Sequence, residues 1–389
     1  MDRFCTKQDA RILDSWNGSG TTTAVAASRG IESFGFDLNP VMSIVARARL
    51  LSKRERSSLI PLAKAITSLA PKTAFDHTDA LAVWFKPVTV TAIRSIERAI
   101  QRLLFCEDHK TMATHMQERP FSDLSAFFYV ALFRTVRGLL TPFQSSNPTW
   151  MKRPTCDANR IQLPGKLVFE AFLANTILME SALDADPFEM DGKVHIQVAP
   201  SANIPIASNS IDFVLTSPPY CTRIDYAAAT RIELAILGIS EGEPFESLRR
   251  KLMGTTTVPR IAPVRKDSWG ALCTEFLDAV ENHPSRASAV YYLKGHCQYF
   301  DGLEASVHEL HRCLKTSGQA CMVVQDSFYK NVHIDLAGIC TEMAEPLGME
   351  LSFRQDFIQS RNRAQAQPNT KPYRNSAQAT ESVLVFTKH

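Results

Sequence analysis

Between Arg11 and Asp37 the chain reads as a short apolar run, a glycine-bearing turn, an alanine-rich stretch at helical spacing and a second apolar run. The first run, residues 11–15 (RILDS), meets the turn Trp16-Asn17-Gly18-Ser19-Gly20, and both runs carry an acid at or near their ends. Parallel strands need a crossover, and a helix is the usual one, so strand, turn, helix and strand in this order predict a parallel sheet covered by helices. Further strands of the same kind are expected at residues 194–199, 212–215 and 319–325, with a closing pair at 350–357 and 382–388. Helices are expected at about residues 227–237 and 296–314.

Residues 41–190 lack this punctuation. They are rich in Ala, Leu, Arg and Ile at helical spacing, as at residues 90–105, and predict a mostly helical insertion between the second and third strands. The chain then divides into residues 1–45 (cofactor-binding part of the sheet domain), 46–190 (helical insertion, candidate target-recognition region) and 191–389 (catalytic part). The net charge of +3 hides an asymmetry. Residues 41–190 hold 19 Lys and Arg against 14 Asp and Glu, a net of +5, which leaves −2 for the remainder. Such an excess marks either a solvated helical face or a groove that follows a phosphate backbone. The nine cysteines include no Cys-x-x-Cys pair, which excludes a zinc knuckle or dithiol motif, and no metal site is expected. Their odd number in a long chain predicts reduced thiols in a cytoplasm. Residues 126–133 form an apolar run far short of the ~20 residues of a membrane helix, and Asp2, Arg3, Lys7 and Asp9 at the start predict no signal peptide.

Two motifs carry chemistry. The stretch Asp14-Ser15-Trp16-Asn17-Gly18-Ser19-Gly20-Thr21-Thr22 lies where the first strand meets the first helix. Glycines there permit a tight turn and close approach of a ligand, and the helix start offers N–H groups. Asp37, ending the next strand, is placed to accept hydrogen bonds from ribose hydroxyls. A nucleoside cofactor and a purely structural turn both fit; the phosphate loop of nucleotide hydrolases does not, because no Gly-Lys-Ser/Thr follows. The second motif ends the buried run Ile211-Asp212-Phe213-Val214-Leu215-Thr216 with Ser217-Pro218-Pro219-Tyr220. Prolines cannot continue a sheet ladder, so the chain leaves the sheet at the carboxyl end of a strand, where open parallel sheets bind ligands. A hydroxyl, carbonyl oxygens and an aromatic face held in fixed relation suit an exocyclic amino group on a planar base. The oxygens accept the amino hydrogens and Tyr220 stacks on the ring.

In these motifs the chain resembles the amino-methyltransferases of DNA that use S-adenosylmethionine. Their cofactor loop reads Asp-Pro-Phe-x-Gly-Ser-Gly-Thr-Thr, against DSWNGSGTT at residues 14–22. Their second strand ends Gly-x-Asp-x-Asn-Pro, matched by Gly35, Asp37, Asn39 and Pro40. Their catalytic motif, Asp/Asn/Ser-Pro-Pro-Tyr, is matched by Ser217, Pro218, Pro219 and Tyr220. Ile224-Asp225-Tyr226 and the Glu-Leu-x-x-Leu-Gly pattern from Glu233 to Gly238 are similar to a subgroup with the serine form. The resemblance spans residues 11–40 and about 194–388. It implies an α/β, Rossmann-like methyltransferase sheet. It also implies S-adenosylmethionine held by Asp14, Trp16, Gly18, Ser19, Gly20, Thr21, Asp37 and Asn39, and a flipped base of double-stranded DNA as substrate. The serine form is more often associated with cytosine N4 than with adenine N6. Adenine N6, an RNA base, and a cofactor-binding subunit that needs a partner are the other readings.

The chain departs from the family in three places. Ser15 and Trp16 replace the loop's proline and phenylalanine. Near the third strand, where the family has an acid beside the adenine, the chain has Ser201. Only ten residues precede Arg11, where the family has a further helix, so that part of the pocket is expected from the C-terminal region or from a protein partner. For the nucleic acid, the candidates are Asp225 and Tyr226 beside the motif, and Arg94, Arg98 and Arg102, which share one helix face. Trp150, Lys152 and Arg153 in the segment 147–153 and the polar loop 359–375, with Arg361, Arg363, Lys371 and Arg374, are further candidates. Cys221 is not placed for attack on a cytosine ring, because Tyr220 separates it from the prolines, and a buried position is expected.

Overall fold

The computed structural model describes residues 9–105, 121–145, 150–183, 192–222, 224–239, 242–359 and 379–389. The elements before the catalytic motif are β1 (Arg11–Asp14), α1 (Thr21–Ala27), β2 (Glu32–Asp37), α2 (Pro40–Ala48), α3 (Arg56–Ser68), α4 (Pro87–Leu104), α5 (Asp123–Leu139), α6 (Gly165–Ala182), β3 (Val194–Val198) and β4 (Ile211–Thr216). After it come α7 (Tyr226–Ala229), α8 (Arg231–Ile236), α9 (Glu243–Lys251), α10 (Ala271–Glu281), α11 (Leu293–Cys313), β5 (Leu314–Gln325), β6 (Ser327–Tyr329), β7 (Val332–Ile334), α12 (Leu336–Ala344), β8 (Met349–Gln359) and β9 (Ala379–Lys388).

Seven strands form one sheet in the order β3-β2-β1-β4-β5-β9-β8. All ladders are parallel except those of β9, which runs antiparallel to both neighbours. This is the Rossmann-like methyltransferase sheet, and the seven strands fall where the sequence places them. The order reverses beside β1, with β2 on one side and β4 on the other, which is the switch point at which such sheets bind ligands. The register pairs Leu13 with Val214. The carboxyl ends of β1 and β4 therefore lie side by side, and so do the two loops that carry the motifs. Close packing at this edge explains one glycine: a Cβ on Gly35 would come within 2.5 Å of the Asn17 side chain.

The helical insertion lies between β2 and β3, as expected, but its packing does not respect the expected boundary at residue 190. Its core is built on Ile93, Ile96, Phe127, Phe128, Leu132 and Phe172, and it continues into Ile232, Leu234 and Ile236 of α8 and Phe245 of α9. Residues that follow the catalytic motif thus complete the insertion's core. The physical cause is α8, whose Ile232, Leu234, Ala235 and Ile236 are buried on several faces, with the buried Glu233 paired to Arg137 of the insertion. A second core, under the sheet, is formed with α10, α11 and α12.

Candidate functional site

The loop after β1 is fixed from below. Asp14 is buried, and its Oδ1 accepts the Thr216 hydroxyl at 2.7 Å and the Trp16 N–H at 3.1 Å. Burial pushes its carboxyl up, and these bonds oppose the shift. One carboxylate therefore ties the glycine-bearing loop to the last residue before Ser217. Gly20 has φ 80°, and a Cβ there would meet Ala46 Cβ at 2.7 Å, so α2 packs directly on the turn. Arg49 of the same region donates to the Ser19 carbonyl and Oγ at 3.3 Å each and to Thr21 Oγ1 at 3.0 Å.

Asp37 sits opposite. Its Oδ2 accepts the Gly18 N–H at 3.0 Å and its Oδ1 the Asn39 N–H at 2.8 Å. Desolvation dominates and pushes this carboxyl up to about 6. Asn39 is buried; its Oδ1 caps α2 at Val41, and its Nδ2 donates to Thr230 Oγ1 at 2.9 Å. A cavity of about 480 Å³ opens here, lined by Trp16, Gly18, Asp37, Ser201, Pro219 and Tyr226 among others. Ser201 Oγ lies 2.8 Å from Ser306 Oγ. The wall opposite the cofactor loop comes from Gly254 and Thr255 and from α11, through His296 and Tyr299. Ser306 and Tyr299 carried no signal in the sequence beyond apolar helical spacing.

The Ser217–Tyr220 turn is held at three of its residues by three different elements. Ser217 is exposed, and its hydroxyl donates to the Val323 carbonyl of β5 at 2.9 Å. The Pro219 carbonyl accepts the Tyr299 hydroxyl at 2.7 Å. Tyr220 is half-buried and donates to Glu381 of β9 at 3.1 Å, and burial pushes its phenol up. Cys221 is buried, as expected. Its Sγ lies 3.3 Å from His296 Nδ1, and its carbonyl accepts the Ser327 hydroxyl at 3.0 Å. Tyr226, at the start of α7, lines the cavity, and burial pushes its phenol up to about 12.

Two expected substrate contacts are corrected. Arg94 does not face solvent. Its guanidinium pairs with Asp79 at 2.7 Å and Glu97 at 2.5 Å and donates to the carbonyls of Ala235 and Ile236 at 2.8 and 2.6 Å. A guanidinium with two carboxylates and two helix-end carbonyls around it has no donor fork left for a phosphate. Asp225 is likewise committed internally. It caps α7 through Ala228 N–H and accepts from Arg249 at 2.5 Å and Thr256 at 2.9 Å. Arg98 and Arg102 are exposed on α4, so the three arginines divide. Trp150 is 49 % exposed, and Lys152 and Arg153 are exposed on a strap whose backbone bonds to Trp84 and Phe143. Asn147, Pro148, Thr149 and the loop from 360 to 375 lie outside the described residues. Among the described residues no cluster of His, Cys, Asp or Glu has metal-binding geometry, and no helix is long and apolar enough to cross a membrane.

Sheet order, glycine turn and acid-ended second strand are the features by which the sequence resembles the methyltransferases that use S-adenosylmethionine, and the fold brings them together at one edge of the sheet. The loop residues and the Asp37 carboxylate at the cavity fit that cofactor. No protein-family model matches the chain. Its curated relatives are more particular: it is 23 % identical over 393 residues to the type II methyltransferase M.BsoBI of Geobacillus stearothermophilus, covering 90 % of this chain and 75 % of that protein. It is 22 % identical over 415 residues to the type II methyltransferase M.MvaI of Kocuria varians, covering 97 % and 84 %. A solved S-adenosylmethionine-dependent methyltransferase from Methanosarcina mazei is 9 % identical, with a TM-score of 0.33, over 100 % of this chain and 95 % of that one.

Proposed function

We infer that the protein methylates an exocyclic amino nitrogen of a base in DNA, with cytosine N4 ahead of adenine N6. The observation that carries this reading is the hydrogen bond from the Ser217 hydroxyl to Val323. With its proton turned toward that carbonyl, the oxygen, which also lies against the Tyr220 hydroxyl, offers a lone pair to the hydrogens of an incoming amino group. Pro218 supplies the second acceptor, and the Tyr220 ring, held by Glu381, supplies the stacking face. The type II methyltransferases among the relatives support DNA as the substrate class.

The cofactor supplies an electrophilic methyl on a sulfonium. Asp37 would hold its ribose, and the glycine turn would let its amino-acid end approach the backbone. Ser217 and Pro218 turn the amino group so that its lone pair points at the methyl carbon. The cofactor would supply that carbon as an electrophile whose C–S electron pair stays with the sulfur, and the surplus proton on the base nitrogen would pass to water. Catalysis here is positioning and electrostatics without a covalent enzyme intermediate. A paired base cannot reach the site and must leave the stack.

The test is transfer from labelled cofactor to DNA and to RNA, followed by nucleoside analysis. N4-methylcytosine is the expected product; N6-methyladenine would move the target to adenine, and label in RNA alone would reject DNA. Ser217→Ala is expected to lower kcat about 10²–10³-fold with an unchanged thermal transition. An unchanged rate would remove Ser217 from the site.

A further inference from the structure

Ile261 and Val264 are 86 % and 82 % exposed, more than any other large apolar side chain among the described residues. They stand on the loop between α9 and α10, Val258-Pro259-Arg260-Ile261-Ala262-Pro263-Val264-Arg265-Lys266. The loop is pinned along its length. The Tyr291 hydroxyl donates to the Thr256 carbonyl at 2.7 Å, and Lys294 Nζ donates to the Arg260 carbonyl at 2.5 Å. Arg265 pairs with Asp278 and Glu281 at 2.5 Å each, and Lys266 with Asp301 and Glu304 at 2.7 Å. Ala262 packs inward on the core under the sheet. Two prolines stiffen the loop. Ile261 and Val264 are therefore held outward by a braced frame.

The loop is rooted at the catalytic turn. Thr256 donates to Asp225, and the Cβ position of Gly254 lies 3.7 Å from the Tyr220 carbonyl and 3.9 Å from that of Ile224. Val258 lies 3.4 Å from the Cβ position of Gly295, and Gly254 and Gly295 both line the cavity. Charge around the loop is unbalanced. Lys251 at the cavity, Arg260 beside Ile261, and Lys294 beneath Arg260 form no ion pair among the described residues. Two aliphatic side chains offer far less area than the ~800 Å² per partner of a stable protein interface. An apolar tip among uncompensated cations, next to a turn built for a base, matches the way wedge residues enter a stacked duplex.

We propose that this loop is a DNA wedge: Ile261, supported by Val264, enters the base stack where the target base leaves it, while Arg260, Lys251 and Lys294 hold the flanking phosphates. The proposal rests on the reading of the protein as a DNA amino-methyltransferase. The wedge fills the hole that flipping leaves and so shifts the equilibrium toward the extrahelical base.

The experiment uses the full chain and a duplex in which methyl transfer by the wild type has located the target. 2-Aminopurine at the target position reports unstacking, with S-adenosylhomocysteine present so that no transfer is needed. The wild type is expected to raise the fluorescence, and Ile261→Ala to lose at least four-fifths of that rise while binding cofactor normally. Transfer to the paired duplex should fall at least tenfold in Ile261→Ala. It should return to within twofold of wild type on a duplex whose target base is mispaired, and Ile261→Leu should resemble wild type. Unstacking and transfer by Ile261→Ala equal to wild type would overturn the wedge, and the same result with a changed mass by light scattering would assign the patch to a protein contact. Equal loss on paired and mispaired DNA would also overturn it. If the wild type transfers methyl to no DNA, the parent reading falls first, which is a different result from a silent Ile261→Ala.

Discussion

The helical insertion and the segment that follows the Ser217–Tyr220 turn are both supplied with cations, and they differ in what is left over: beyond the turn three cations close to the cavity stay unpaired among the described residues, beside the paired Arg249, Arg250, Arg265 and Lys266. In the insertion Arg47 faces Asp123 at 3.2 Å, Arg56 faces Glu180 at 2.5 Å, Arg94 faces Asp79 and Glu97, and Arg137 faces Glu233 at 2.6 Å. Lys86 pairs with Asp157. Beyond the turn, Lys251, Arg260 and Lys294 have no such partner among the described residues. A charge with a carboxylate against it leaves a weak field at a distance, so net +5 overstates what the insertion presents to a polyanion. The carboxylates at the cavity divide in the same way. Asp225 is committed to Arg249 and Thr256, whereas Asp37 is held by two backbone amides and lines the cavity.

If the insertion's cations are structural, Arg94→Met should cost stability and little else. It leaves Asp79 and Glu97 without a counter-charge and two helix-end carbonyls without a donor. The expected loss is about 3–5 kcal/mol in urea unfolding. The folded fraction should bind DNA within twofold of wild type. Wild-type stability with a tenfold loss of DNA affinity would break the comparison.

Asp37 tests the other side, a charge kept for a ligand. Burial raises its folded pKa from 3.8 to about 6. Since the unfolded chain releases this proton near 3.8, the cofactor-free protein loses this group's contribution to stability as pH rises from about 4 through 6. Cofactor affinity should move the opposite way and rise over that window, because ionised Asp37 is the better acceptor for ribose hydroxyls. Calorimetric Kd should weaken by up to about tenfold per pH unit below 6, and Asp37→Asn should flatten the profile. A wild-type Kd that does not change from pH 5 to 7 would remove Asp37 from the ribose.

Arg137 lies between the two cases. It joins α5 to Glu233 and donates to the Ala229 carbonyl at 2.9 Å, and Ala229 and Thr230 line the cavity. Arg137→Ala should weaken cofactor binding about tenfold, with partial recovery in Arg137→Lys, which keeps the charge and loses the fork. Its side chain is 37 % exposed, so solvent screens the pair, and the stability loss should stay near 1 kcal/mol. A stability loss as large as that of Arg94→Met, with cofactor Kd unchanged, would place Arg137 wholly with the structural set.

The strands, the insertion point and the two motif loops were legible because each rests on local signals: apolar runs, glycine turns and two prolines. The commitments of individual charges were not. Arg94, Arg98 and Arg102 have the same spacing on one helix, yet Arg94 meets the carboxyl end of α8, which lies more than a hundred residues along the chain. No local pattern encodes that meeting. The same holds for Asp225, whose position beside the motif suggested a ligand, while its partner Arg249 sits in an unremarkable Arg-Arg-Lys run. Tyr299 reads as one more apolar position on a long helix, and only the fold brings its hydroxyl to the Pro219 carbonyl.

Arg98 gives the smallest effect and the finest test, because it belongs to the insertion and is nevertheless exposed. A phosphate contact contributes about 0.9 to the slope of log affinity against log salt. Arg260→Ala, beside the proposed wedge, should lower the magnitude of that slope by about one contact. Arg98→Ala should change the slope by less than half of that and the affinity at low salt by about two- to threefold, through general field alone. The two variants, titrated on the same duplex from 50 to 200 mM salt, compare the surfaces directly. Equal changes of slope would mean that the duplex lies across α4 as well as the loop. The insertion would then position the DNA with its exposed residues while its buried arginines hold α8, and exposure rather than region would decide which cation touches phosphate.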